Sequence, residues 1–175
     1  MLLFLWVDSN RFGNTDKIAV DLKAKLENTE TAVDLIRIAP LEAYPDKGFK
    51  KFFFGGKAAT FGERPDLEPY SFPLEKYDKV IIGSPLWAGT VTPPLRTFID
   101  EQHKASRIDA LGEKLCGVFY SCSGGKADKA FKVLCDAIGT LNEVPCARFV
   151  DPKDKPYDSY EDDLAVFAGD IRMKF

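Results

Sequence analysis

Five short apolar runs decide what this chain can become. Residues 2–7, 32–38, 79–83, 115–121 and 144–150 are rich in Val, Ile, Leu and Phe and nearly continuous rather than alternating. Strands covered on both faces of a parallel sheet read this way. Between the runs the apolar spacing changes to that of helices. Ile18, Leu22 and Leu26 recur every four residues, and Leu95, Phe98 and Ile99 follow Pro93-Pro94, a pair suited to a first helical turn. Ala130, Val133, Leu134 and Ala137 share one side of 126–138, and Leu164, Phe167, Ala168 and Ile171 one side of 160–173. With a further helix expected over 47–60, strands and helices alternate. The pattern predicts one doubly wound α/β domain spanning 1–175: a five-stranded parallel sheet, order 2-1-3-4-5, between two helical layers. A length of 175 residues suits one such domain.

Charge and composition narrow the function. A formal net charge of −3 gives no basic face for nucleic acid. No apolar run approaches the roughly 20 residues of a membrane span. The opening Met1-Leu2-Leu3-Phe4-Leu5-Trp6-Val7 lacks a basic leader and is followed at once by Asp8-Ser9-Asn10-Arg11, so it reads as a core strand rather than a signal peptide. A cytoplasmic protein is expected. Cys116, Cys135 and Cys146 lie in apolar runs and are expected as buried free thiols, while Cys122 falls among Gly and Ser and is the candidate redox thiol. There is no close metal-type cysteine pair, His103 is the only histidine, and no metal site or catalytic acid–base pair is expected.

Residues 40–77 are long for one connection. Phe49, Phe52, Phe53, Phe54 and Phe61 crowd its middle. They are either core packing or a wall over a ligand.

In a sheet of this order the turns after strands one, three and four converge at the carboxyl edge, where ligands bind. All three are unusual. The first, Asp8-Ser9-Asn10-Arg11-Phe12-Gly13-Asn14-Thr15, brings hydroxyls, an amide and a cation to a helix start. It reads as a phosphate site or as an ordinary N-cap by Asn14 or Thr15. It is neither a dinucleotide Gly-x-Gly-x-x-Gly nor a Walker loop, which favours a mononucleotide. The second contains Gly83-Ser84-Pro85-Leu86-Trp87-Ala88-Gly89-Thr90. A tryptophan alone on a loop of small residues points to a planar group above it, or to burial under a neighbouring loop. Pro85 and Leu86 would edge a ring, and the Ala88–Gly89 peptide is free to turn over. The third, Ser121-Cys122-Ser123-Gly124-Gly125-Lys126, offers backbone donors.

In these three turns, taken in order, the chain resembles the flavodoxin family over nearly its whole length. Ser9-Asn10-Arg11-Phe12-Gly13-Asn14-Thr15 is similar to the family's phosphate loop, Tyr77-Asp78-Lys79-Val80-Ile81-Ile82-Gly83-Ser84-Pro85-Leu86-Trp87-Ala88-Gly89-Thr90 to its flavin loop, and Ser121-Cys122-Ser123-Gly124-Gly125 to the flavin loop that follows. The resemblance implies noncovalent FMN. It assigns the phosphate to Ser9, Asn10, Arg11, Gly13, Asn14 and Thr15, the ring to Pro85, Leu86 and Trp87, the flavin N5 to Ala88 and Gly89, and the pyrimidine side to Ser121, Cys122, Ser123, Gly124 and Gly125. Phe12 stands where the family usually has Thr, with Arg11 as the candidate replacement. The third loop lacks the Tyr that many flavodoxins stack on the ring's other face, so that face is open or is covered by residues 49–61.

Two functions follow. One is an electron carrier, a monomer or weak dimer that docks redox partner proteins (a reductase or an acceptor enzyme) through Asp66, Glu68, Asp100 and Glu101. The alternative is an NAD(P)H-dependent FMN or quinone reductase of the same fold. A receiver domain would need an acceptor Asp where Gly83-Ser84-Pro85 stands, and a low-molecular-weight phosphatase a Cys-x5-Arg loop after strand one.

Overall fold

The computed structural model describes residues 2–7, 13–44, 57, 59–140, 143–151 and 158–175. Strands β1 (Leu2–Val7), β2 (Val33–Ile38), β3 (Lys79–Pro85), β4 (Leu115–Cys122) and β5 (Cys146–Val150) form one sheet in the order β2-β1-β3-β4-β5. Every pairing in it is parallel. Helices α1 (Asn14–Leu26), α2 (Pro93–Lys104), α3 (Ile108–Lys114), α4 (Asp128–Ile138) and α5 (Asp158–Arg172) cover it.

Two apolar cores separate the layers. On one face Ile18, Leu22 and Leu26 of α1 and Leu164, Phe167 and Ile171 of α5 close over Ile81, Phe119 and Phe149. On the other, Leu95 and Phe98 of α2, Leu111 of α3 and Leu134 of α4 close over Val80, Ile82, Val118 and Tyr120. Burying both faces explains the unbroken apolar runs, and all of β4 is buried. Gly83 belongs to this packing. A Cβ there would stand 2.1 Å from Cζ of Phe119, its register partner on β4.

The departures from expectation have local causes. Pro85, Ser121 and Cys122 are strand ends rather than loop residues, because β3 and β4 stay paired through Pro85↔Ser121. The seven-residue α3 has no counterpart in the apolar spacing. Its Gly112 faces the α4 terminus so closely that a Cβ would lie 3.2 Å from the Ile138 carbonyl oxygen. Cys116 and Cys122 are buried, but Cys135 is only partly covered and Cys146 is exposed, since β5 is an edge strand with one neighbour. Most of the helix expected over 47–60 lies outside the described residues, although 57 and 59–61 are helical.

The long excursion after β2 leaves and returns at one clip. Glu68 N–H donates to Ala39 O and Leu41 N–H to Asp66 O, both at 2.8 Å. The returning chain then stacks Tyr70 and Phe72 on Phe98 of α2. Of the aromatics expected there, Phe61 is exposed; Phe49, Phe52, Phe53 and Phe54 lie outside the described residues.

Candidate functional site

Three turns meet at the carboxyl edge of the sheet, and Ser121 is their junction. The Thr15 and Ser121 hydroxyls are 2.7 Å apart and both buried. The Leu86 N–H donates to Ser121 O at 2.8 Å. Residues separated by 106 positions are thereby joined in one buried contact. A buried hydroxyl must find a partner or lose about 1–3 kcal/mol, so the pair holds α1 against the end of β4.

The first turn enters α1 at Gly13, which takes the N-cap position with φ −77° and ψ −179°. Neither Asn14 nor Thr15 is the N-cap. Thr15 directs its hydroxyl sideways to Ser121 rather than into the helix. Gly13, having no side chain, gives the α1 amino terminus no side-chain cap of its own, and a helix start of this kind is suited to receive an anion. Ser9, Asn10 and Arg11 lie outside the described residues.

The second turn is a tight one. Thr90 N–H donates to Trp87 O at 3.0 Å, and the two central residues, Ala88 and Gly89, have φ of 49° and 69°. Glycine takes this left-handed region freely and alanine does so at a cost of about 1–2 kcal/mol. Such strain, held at an exposed position, is characteristic of ligand-facing backbone. Trp87 is half-buried, its ring edge-on to Tyr44 with centroids 5.1 Å apart and planes at 78°. Tyr44 comes from the excursion, so Trp87 is steadied by a neighbour without being sealed beneath it. Burial first, and Glu63 second, raise the Tyr44 phenol above its ordinary value.

The turn is bolted to helix α2. Pro93 and Pro94 remove the first two N–H groups of α2, and the Thr92 hydroxyl makes no cap but meets the Ser84 hydroxyl at 3.2 Å. Arg96 then reaches back. Its Nε donates to Val91 O at 3.2 Å and one Nη to the Thr90 hydroxyl at 3.1 Å.

The third turn is open. Ser123, Gly124, Gly125 and Lys126 are exposed, while Cys122 is buried beneath them. Arg148 of β5 donates to Gly125 O at 2.9 Å and passes 4.0 Å from the Cys122 sulfur. Sequence reasoning missed Tyr44, Arg96 and Arg148. Each lies far along the chain from the turn it supports, except Arg96, whose clue was its place two residues inside the Pro-Pro helix start.

A flat phosphorylated group fits these residues. A Cβ at Gly89, Gly124 or Gly125 would meet nothing within 4 Å among the described residues, so a planar ring has free approach to the backbone on both sides. The α1 terminus lies beside them, joined through Ser121.

The family described as NADPH-dependent FMN reductase matches residues 1–146. The chain belongs to that family. It is an FMN-binding flavoprotein with a flavodoxin-like fold. The flavodoxin likeness of the sequence thus holds for fold and cofactor, while the family is the reductase one. Among solved structures, a flavoprotein from Lactobacillus acidophilus in complex with FMN superposes with a TM-score of 0.63 at 19% identity, covering 94% of this chain and 97% of that one. A flavodoxin, WrbA-like protein from Agrobacterium tumefaciens gives 0.53 at 15%, covering 98% and 97%. A Klebsiella pneumoniae protein assigned as a quinone reductase gives 0.60 at 12%, covering 99% and 84%. At such identities the likeness speaks for the fold. No curated protein matches the chain.

Proposed function

We propose that this protein is a flavin oxidoreductase that draws electrons from a reduced nicotinamide and passes them to a small acceptor such as a quinone. One observation carries the reading: the wall formed by Ser123, Gly124 and Gly125 is exposed and holds no ring. A face that the described residues leave uncovered beside the Trp87 turn admits a second planar molecule. Bound FMN supplies the hydride and electron chemistry. The chain's own residues do the rest. Gly13, Asn14 and Thr15, with Ser9, Asn10 and Arg11, hold the phosphate at the α1 start. Trp87 and the flanking Pro85 and Leu86 fix the ring plane. The strained Ala88–Gly89 peptide meets the reacting edge, and the backbone of 121–125 meets the polar edge.

Service as a carrier to redox partner proteins is the second reading, and the acidic rim gives it less support. Glu68 lies 3.6 Å from Arg37, Asp100 pairs with Arg64, and Glu101 accepts from the Tyr70 hydroxyl. Of the four acids suggested for docking, Asp66 alone has no such side-chain partner among the described residues. Free thiols fit a reducing, cytoplasmic setting, and no helix among the described residues is long and apolar enough to cross a membrane.

The test is an absorption spectrum of fresh protein with and without added FMN, followed by NADPH oxidation in the presence of a quinone. Yellow protein with sustained turnover is expected. Yellow protein that ignores nicotinamides yet is reduced by a ferredoxin-type reductase would restore the carrier.

A further inference from the structure

The two edges of the sheet are finished differently. On β2 the outward backbone is capped from α1: Lys23 Nζ donates to Val33 O at 2.6 Å, and Val33 N–H donates to Glu27 Oε1 at 3.4 Å. Just beyond β2, Ala39 O and Leu41 N–H are taken up by Glu68 and Asp66. The β5 edge has no such cover among the described residues. Pro145 O accepts from Val118 N–H and Asp151 N–H donates to Cys122 O, so residues 145, 147, 149 and 151 turn their backbone groups to β4. Cys146, Arg148 and Val150 turn theirs outward. The Arg148 side chain does not cap them either, being directed to Gly125 O. A bare strand edge is a template for another strand. Its flanks are hollow and charged. On the α5 side a cavity of about 250 Å³ is bordered by Ala147, Asp163, Val166 and Asp170. Past the amino end of β5 a second, of about 600 Å³, is bordered by Val144, Pro145, Met173 and Lys174. Val166 and Met173, at the rims, are 65% and 85% exposed, an apolar surface left in water. Helix α5 returns antiparallel to β5, so Asp163 stands toward the carboxyl end of the strand and Lys174 beyond its amino end. Neither has an ion pair among the described residues.

We propose that the β5 edge docks a second copy of this chain, strand against strand and antiparallel, about a two-fold axis at Ala147. Such an axis makes the contact self-complementary. Cys146 of each copy exchanges backbone hydrogen bonds with Arg148 of the other, using the groups that point outward. Val144 comes opposite Val150, apolar against apolar. An axis at Arg148 would instead set two guanidinium groups directly opposite each other, which is unfavourable. The axis at Ala147 also brings Asp163 of each α5 toward Lys174 of the other copy, so charges that one copy leaves unpaired are complementary between two. Val166 and Met173 are covered in the same step. The carboxyl edges of the two sheets then point in opposite directions, and neither flavin site is covered by the other copy. Arg148 joins the docking edge to the turn at 122–126 through Gly125 O.

The experiment is sedimentation equilibrium of the purified full chain with FMN added, over a wide range of protein concentration. A reversible dimer is expected. Asp163→Lys and Lys174→Glu should each weaken it about tenfold, because the axis repeats every change twice, and the two together should restore it. Both positions are exposed, so folding is not at stake. Cys146→Pro removes one outward N–H, leaves the bonds to β4 intact and should abolish the dimer. The place of contact is read separately. In a Cys146→Ser background, Ala147→Cys sets two thiols across the axis, where opposed Cα atoms lie about 4.5 Å apart, within disulfide reach. Oxidation with copper phenanthroline should then give a cross-linked dimer, and the Cys146→Ser protein alone should not. A chain that stays monomeric at every concentration would overturn the proposal. So would a dimer that ignores both charge reversals, or one that persists while Ala147→Cys fails to cross-link, since either would use another face.

Discussion

The two turns that face each other across the site are built in opposite ways. The turn at 87–90 is braced: a backbone hydrogen bond closes it, Arg96 ties it to α2, and a non-glycine residue is held at positive φ. The turn at 122–126 is loose: Gly124 and Gly125 take φ of 156° and 88° with open space before them, and one bond from Arg148 holds the carbonyl of Gly125. The first turn stores strain and the second avoids it. A flavin held between them would meet one stiff edge and one that adapts, so changes of the same kind should act with opposite sign on the two sides.

The largest expected effect strikes the strands beneath both turns. Gly83→Ala puts a methyl group 2.1 Å from the Phe119 ring, which is buried and has no room to retreat. Overpacking of this kind costs about 3 kcal/mol, readable as a lower urea midpoint. Pairing it with Phe119→Leu should recover much of the loss; a double mutant no better than the single one would mean that the two residues do not compete for space.

Next comes the ring itself. Trp87→Ala should weaken FMN binding by about 1–3 kcal/mol, as removal of an aromatic platform does elsewhere. It should leave the midpoint of unfolding in urea nearly unchanged, since Trp87 is only half-buried. Unaltered FMN affinity by fluorescence titration would show that Trp87 serves Tyr44 rather than the cofactor.

The contrast between the turns also separates what was legible in the sequence from what was not. Apolar runs of five to seven residues announce a buried parallel sheet, and the order of the three turns announces where they gather. Both follow from local composition. What the sequence did not show depends on approach through space. Gly112 hides α3 because its reason is a close pass by Ile138, not helix spacing. Cys146 reads as core because its neighbours are apolar, yet one side of an edge strand stays open. The junction of Thr15 with Ser121, and the supports given by Tyr44 and Arg148, exist only after the sheet order has brought distant segments together.

Opposite signs are the sharper test. Ala88→Gly removes the cost of a left-handed alanine, partly offset by the freedom that glycine has when unfolded, and should stabilise by about 0.5 kcal/mol. Gly125→Ala imposes that cost where the space is free, and should destabilise by about 1 kcal/mol. Equal signs in paired thermal melts would show that the two turns are not stiff and soft at all.

The smallest effect belongs to Arg148. Its side chain is exposed and its bond to the Gly125 carbonyl is solvent-accessible, so Arg148→Gln should cost only a few tenths of a kcal/mol. Global stability is therefore the wrong measurement, and amide exchange of residues 123–126 is the right one. Those amides should exchange faster in the variant, because two positive-φ glycines have little else to hold them in place. The amides around Trp87 should not change, since a separate arginine braces that turn. If both sets accelerate together, the two sides of the site are coupled through Ser121, and the loose turn shares the stiffness of its neighbour.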